Sequence, residues 1–241
     1  MWIATDYGLN RFDGYHFTEY LHQHNDSTTI SSSTVCTLFC DKDGELWVGT
    51  NKGLDRFDYA TGTFIHYPFA RGRKPRVTKM THLSDGRMIV ATSGYHGLYC
   101  MTNDMADDYT EGDLDMLFVN SIKENESGRI WQCSFSDQIS MKDANGIHKM
   151  RTTQGFVVDF VYHDGEFLIV CMHGLHSYRD GQLTIPDYDM SALEPSAIIR
   201  CVFTDSKGNT YIGTRGDGLY CIPANSRKLE RVPAIASGLT S

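Results

Sequence analysis

The chain has 241 residues, 41% hydrophobic and 22% charged, with a formal net charge of −8. That length allows one large domain or two small ones. The acidic balance and the lack of a long basic run set aside a nucleic-acid partner, because phosphate neutralisation supplies most of such affinity. No apolar run is long enough to span a bilayer, so no membrane contact is expected of this chain, and no signal segment precedes the first structured residues.

Thirteen Tyr, twelve Phe and twenty-two Gly against six Pro favour strands joined by tight turns. In chain order, "MWIATDYGLNRFDG" (1–14) reads as two strands about a turn at Asp6-Tyr7. A fuller unit follows, with strand A at 34–40, strand B at 45–50, strand C at 54–58 and strand D at 63–67. A third unit has A at 76–83, B at 87–92, C at 97–102 and D near 115–118. The fourth has A at 119–124, B at 129–134, C at 137–142 and D at 147–150. The fifth has A at 156–163, B at 166–171, C at 174–179 and D at 182–185. The sixth has A at 197–205, B at 209–214, C at 218–222 and D at 228–231.

These units are copies of one another. "DKDGELWVGTNKGLDRFD" (41–58) recurs as "DSKGNTYIGTRGDGLYCI" (205–222) and, with one residue inserted, as "LSDGRMIVATSGYHGLYCM" (83–101). Weaker copies are "NESGRIWQCSFSDQISMKD" (125–143) and "YHDGEFLIVCMHGLHSYRD" (162–180). The turn glycines Gly44, Gly86, Gly128, Gly165 and Gly208 recur at intervals of 37 to 43 residues. That period, with strand content, predicts propeller blades of four strands each. Strand B is apolar on both sides because stacked blades bury both faces of their inner strands.

The expected fold is therefore all-β: a β-propeller of four-stranded antiparallel blades, about six of them present, in one domain over 1–241. The blades fall near 1–33, 34–75, 76–118, 119–155, 156–196 and 197–241. The first starts at strand B, so the chain reads as a fragment, cut from something longer and part of a seven-bladed propeller, with open edges otherwise an aggregation hazard.

Seven cysteines at irregular spacing, with no C-x-x-C, support neither a zinc site nor a disulfide framework. Most lie in apolar runs and are expected to be buried thiols packing as small hydrophobes. "LHQHND" (21–26) carries His22 and His24 two apart, and "ARGRKPR" (70–76) is the densest basic run. Both read as solvated loops. The acidic stretch "MTNDMADDYTEGDLD" (101–115) lacks calcium-loop spacing and reads as a solvated acidic loop, and "DKDGE" (41–45) as turn chemistry. No G-x-S-x-G elbow or H-E-x-x-H pair occurs, so no catalytic residue, metal or cofactor is assigned.

"GELWVGTNKGLDRF" (44–57), "MWIATDYGLNRFDGYHF" (1–17) and "GNTYIGTRGDGLY" (208–220) resemble the two-component regulator propeller repeat. Ala91 and Cys133 depart from its strand Gly, and Gln138-Ile139 from its Gly–Leu. The resemblance implies the periplasmic sensor region of a hybrid two-component system, which detects oligosaccharides and controls genes for glycan use. It further implies a second propeller and an immunoglobulin-like domain as partners in the full-length chain, which would be a histidine kinase; a homodimer is left open. No kinase glycine box is present, so this piece is expected to be non-catalytic.

In a propeller the B–C and D–A loops share one face, and function sits in such loops. The B–C tips carry Asp6, Tyr7, Asn51, Lys52, Tyr95, His96, Phe135, His173, Arg215 and Asp217. Together they offer aromatic platforms for sugar CH faces and polar groups for hydroxyls. Two other readings compete. One is a propeller lyase resembling the streptogramin-cleaving enzymes, with His96 and His173 as its histidines and Mg²⁺ in the funnel. The other is a protein-docking scaffold of WD40 type.

Overall fold

A computed structural model of the protein describes residues 1–94, 97–102, 105–109, 119–134, 136–179 and 181–233. Among these residues every regular element but a short 3₁₀ turn at Ala70–Gly72 is a β-strand. The fold is an all-β propeller of antiparallel meanders. The chain divides into two compact units, 1–134 with 140–148, and 135–139 with 149–241.

In the first unit, β1 (Trp2–Thr5), β2 (Gly8–Phe12) and β3 (Phe17–Tyr20) form a three-stranded sheet, the copy without its front strand. The second sheet is β4 (Val35–Cys40), β5 (Leu46–Thr50), β6 (Gly53–Asp58) and β7 (Thr63–Tyr67), in that order. The third is β8 (Arg76–His82), β9 (Met88–Ser93), β10 (Leu98–Met101) and β11 (Ala106–Asp108). Most of the fourth, β12 (Ser121–Glu124), β13 (Ile130–Cys133), β14 (Gln138–Asp143) and β15 (Gly146–Arg151), also belongs to this unit.

The third sheet corrects the sequence reading. The strand that pairs with β10 lies at 106–108, not near 115–118, which is outside the described residues. Part of the acidic stretch is thus a strand rather than a solvated loop. Asp108 has a structural reason to be there, since its carboxylate meets Arg73 at 3.0 Å and Arg71 at 3.4 Å.

Side chains alternate between neighbouring sheets as the two-residue strand period demands. Leu46 and Val48 of β5 pack with Leu9, Val35 and Phe57, while Trp47 between them packs with Val77, Met80 and Val90. In β9, Met88 and Val90 join the Trp47 cluster, and Ile89 and Ala91 face Val119 and Ile122. Burying one such Leu, Ile or Val side chain contributes about 1.5–3 kcal/mol.

Three of the A–B turns are built by an Asp or Asn at the same place. Asp41 Oδ1 accepts from the amides of Asp43 and Glu45, each at 2.9 Å, and Oδ2 from the Trp47 indole N–H at 2.8 Å. Burial works against its charge, yet these donors hold its carboxyl below the usual carboxylate range. Asp205 makes the same pair of amide bonds, as does Asn125 with its side-chain oxygen. "DKDGE" is turn chemistry, as its repetition implies.

In the second unit, β16 (Val157–His163), β17 (Glu166–Cys171), β18 (Gly174–Arg179) and β19 (Gln182–Thr184) form one sheet. β20 (Ile198–Thr204), β21 (Thr210–Arg215), β22 (Leu219–Ile222) and β23 (Glu230–Arg231) form the other. Leu168 and Val170 pack against Ile199, Ile212 and Tyr220. Buried His163 ties the two sheets: its Nδ1 accepts the Thr210 hydroxyl at 3.0 Å and its Nε2–H donates to the Ser226 carbonyl at 2.8 Å.

The cysteines divide by position. Cys133 and Cys171 are buried and Cys36, Cys100 and Cys221 half-buried. Cys40, the last residue of β4, and Cys201 of β20 are exposed, against the expectation of burial.

Candidate functional site

The first unit carries a cleft of about 690 Å³ between two D–A loops. One wall is the β3–β4 loop, with His22, Gln23, His24, Asn25 and Asp26. The opposite wall is the β7–β8 loop, with Phe69, Arg73 and Lys74. Lys52 at the β5–β6 turn closes one side, and Leu54, His66 and Tyr67 form the floor.

Local bonds fix both walls. Asp26 Oδ1 accepts the Thr28 amide at 2.9 Å and its hydroxyl at 2.6 Å, making an Asx turn. These two donors hold the Asp26 carboxyl below the usual range. His22 Nδ1–H donates to the Ile30 carbonyl at 2.9 Å, and Ile30 is wholly buried. On the other wall, the Ala106 amide donates to Pro68, and the Phe69 ring meets Tyr99 edge-on with centroids 4.8 Å apart.

A buried carboxylate stands beneath the cleft. Asp55 is 0% exposed, a costly place for a charge unless it is fully paired. Its Oδ2 accepts the Ser31 amide at 2.8 Å; Oδ1 accepts the Ser31 hydroxyl at 2.5 Å and the His66 Nδ1–H at 2.6 Å. The hydrogen bond to Asp55 raises the pKa of His66 in spite of partial burial. Ser, His and Asp meet here, but not as a nucleophilic triad. Serine and carboxylate both approach the same Nδ1, whereas a triad needs them on opposite ring nitrogens.

Asp55 is one case of a repeated device. The residue two after the C-strand glycine is Asp55, Tyr99, His176 or Tyr220, and each is buried. Each reaches the D–A loop that precedes its own sheet. Asp55 holds Ser31, and the Tyr99 hydroxyl accepts from Arg73 at 3.3 Å. His176 Nε2 accepts the Thr153 amide at 3.1 Å while its Nδ1–H donates to the Thr184 carbonyl at 3.3 Å. Burial lowers the His176 pKa, in keeping with a neutral ring. The Tyr220 hydroxyl donates to Asp217 and lies near the Glu194 backbone.

Of the residues singled out from the sequence, Lys52 lines the cleft. Asn51 is its half-buried neighbour, its amide donating to the Thr34 carbonyl at 3.1 Å. Asp6 and Tyr7 sit exposed at the β1–β2 turn and are not among the cleft lining. Tyr95, His96 and Phe135 lie outside the described residues. In the second unit His173 is exposed beside Gly155, and Arg215 is exposed at the end of β21. Asp217 is committed to structure, pairing with Arg231 at 2.8 Å as well as with Tyr220. Sequence reasoning passed over His22, His24, Arg73 and Lys74 as loop solvation, and gave His66 no role. Among the described residues no three His, Cys, Asp or Glu side chains converge on a metal position.

Fold and cleft define a class: a repeat-built β-propeller that presents a loop-lined cleft. Residues 29–52, which include Ser31 and the whole of β5, match the two component regulator propeller family. No curated protein matches the sequence. Among solved structures, the chain is similar to the extracellular domain of the hybrid two component system BT3049 from B. thetaiotaomicron, with 21% identity and a TM-score of 0.68. That match covers 90% of this chain and 31% of the other. It is also similar to the extracellular domain of BT4673 from the same organism, with 18% identity and a TM-score of 0.74 over 96% of this chain and 34% of that one. Virginiamycin B lyase from Staphylococcus aureus gives 16% identity and a TM-score of 0.70 over 95% and 78% of the two chains. At these identities the likeness is one of fold, and the chain spans about a third of the B. thetaiotaomicron domains. No helix among the described residues is long and apolar enough to cross a membrane.

Proposed function

We propose that this chain is a periplasmic sensor propeller of a hybrid two-component signalling protein, that its ligand is an oligosaccharide, and that binding controls genes for glycan use. The observation that carries the reading is the cleft between the β3–β4 and β7–β8 loops. Its volume of about 690 Å³ suits a short sugar chain. Amide and hydroxyl groups of Gln23, Asn25 and Ser27 offer partners for sugar hydroxyls, and Tyr67 offers an apolar face. The repeat at 29–52 and the likeness to extracellular domains of two-component proteins support the setting. In the full-length protein a second propeller and an immunoglobulin-like domain would relay occupancy to a kinase. Calorimetry of the chain against a panel of oligosaccharides tests the proposal; a saturable heat that His66→Ala or Asn25→Ala weakens is expected. Binding of none of the panel would sink it.

The lyase reading has one observation in its favour: this chain covers 78% of virginiamycin B lyase, far more than of the B. thetaiotaomicron domains. Turnover of quinupristin in Mg²⁺, abolished by His173→Ala, would put that reading in place of the sensor.

A further inference from the structure

We propose that the cleft of the first unit selects acidic oligosaccharides, sugars bearing carboxylate or sulfate groups, through Lys52 and Lys74; the inference rests on the sensor reading above. The chain carries 30 acidic residues against 22 Lys and Arg, so a cationic cleft is not what its composition would place there by default. Within the lining the cations outnumber the anions, with Lys52, Arg73 and Lys74 against Asp26. Asp26 is the one carboxylate among the lining residues, and its Oδ1 is taken by the Thr28 amide and hydroxyl. Asp55 beneath the floor is matched by His66. Asp108 behind the wall is shared by Arg71 and Arg73.

Lys52 and Lys74 are left. Both are exposed, both line the cleft, and neither makes an ion pair among the described residues. Some other basic side chains of this unit do find carboxylates: Arg56 meets Glu45 at 3.4 Å and Arg87 meets Asp85 at 2.6 Å. Lys74 is close enough to His66 for its charge to oppose protonation of that ring, which sets the lysine over the same floor. A concave site focuses the field of its unpaired cations on a ligand. Tyr67 in the same lining supplies an apolar face for a sugar ring, its own ring steadied by Trp47 at 4.8 Å. A neutral sugar would use the floor and leave the lysines uncompensated.

Calorimetry on the whole chain with three size-matched probes tests this: a galacturonic acid trimer, a sulfated galactotriose and neutral galactotriose. The expected result is binding of at least one acidic trimer and much weaker binding of the neutral one. Added salt should weaken acidic binding, since the screening length falls from about 10 Å at 0.1 M to about 3 Å at 1 M. Lys52→Ala and Lys74→Ala should each cost about two- to fivefold in affinity for the acidic trimer, the scale of a solvent-screened ion pair, with little change for the neutral one. Circular dichroism and the melting temperature of both variants should match the parent, since both lysines are exposed. Which acidic trimer binds tells carboxylate from sulfate. Neutral galactotriose binding as tightly as the acidic probes, or acidic binding unchanged in the double variant, overturns charge selection and leaves the sensor reading standing. Failure of all three probes overturns this inference, and the wider oligosaccharide panel then decides the sensor reading separately.

Discussion

Replacing Gly49 by alanine probes the claim that neighbouring blades in this unit meet too closely for a side chain. Gly49 lies in the middle of β5, paired with Thr37 of β4. A Cβ built on it falls 2.6 Å from Thr37 Cγ2, 2.6 Å from Val77 Cγ1 and 2.9 Å from Val77 Cβ. Carbon atoms in good contact sit about 3.5–4.0 Å apart, so all three pairs are overlaps of most of an ångström. Val77 cannot retreat, since it is 0% exposed and packed with Trp47, Leu54 and Met80. Overpacking of this kind costs about 1–3 kcal/mol. Alanine returns about 0.4–1 kcal/mol by restricting the unfolded chain. The net loss is then about 1–2 kcal/mol, or roughly 2–8 °C in melting temperature for a chain of this size. Urea and thermal unfolding measure it. Pairing with Val77→Ala removes the Cγ1 overlap, so the double variant should lose less than the two single losses added together. An alanine variant as stable as the parent, or strict additivity in the cycle, would refute the close approach.

Four further outcomes follow from the buried polar groups and the thiols. Asp55→Asn should cost about 1–3 kcal/mol, because an amide cannot accept from Ser31 on both atoms and from His66 as the carboxylate does; an unchanged urea midpoint would contradict this. By NMR, His66 should titrate above the ordinary histidine value of about 6.5 and move down in Asp55→Asn. Its raised value means that its share of stability is whole below that unfolded pKa and fades as pH rises through the folded one. His176 should titrate below about 6.5, its stabilisation present above that value and lost as pH falls toward the folded pKa; a His176 value at or above 6.5 would mean the ring is not held neutral. A thiol reagent should label Cys40 and Cys201 quickly in the folded protein, and Cys171 only on unfolding, since burial pushes its pKa to about 11.

The blade series was legible because its signals are local. Turn glycines, the Asp41-type turn and the apolar B strands each follow from a few adjacent residues. The cleft was not legible for the opposite reason. His24 and Lys74 lie on different D–A loops, and only the stacking of the first three sheets sets them on either side of Lys52. Read singly, each is a polar residue in a loop, which is what loops ordinarily contain. The misplaced fourth strand of the third sheet has the same root. "ADD" lacks the apolar alternation of a strand, and it pairs with β10 because Asp108 faces two arginines from a loop far earlier in the chain.

The position two after the C-strand glycine shows how far a repeat can hide what it does. It carries Asp55, Tyr99, His176 and Tyr220, a carboxylate, an imidazole and two phenols, so unlike side chains fill one structural role. Strand C turns this residue toward the preceding D–A loop, and any side chain with a polar atom at the right reach can hold that loop. What the choice alters is the charge left at the surface. Tyrosine at 99 engages Arg73, a cation already met by Asp108. Aspartate at 55 brings a buried negative charge that stabilises a protonated His66 on the cleft floor. The same anchoring position therefore holds a loop in each of these sheets and alters the electrostatic character of the cleft floor in one of them; on the proposed sensor reading, a substitution at Asp55 should change ligand affinity and stability together, whereas one at Tyr99 should change stability with little effect on ligand choice.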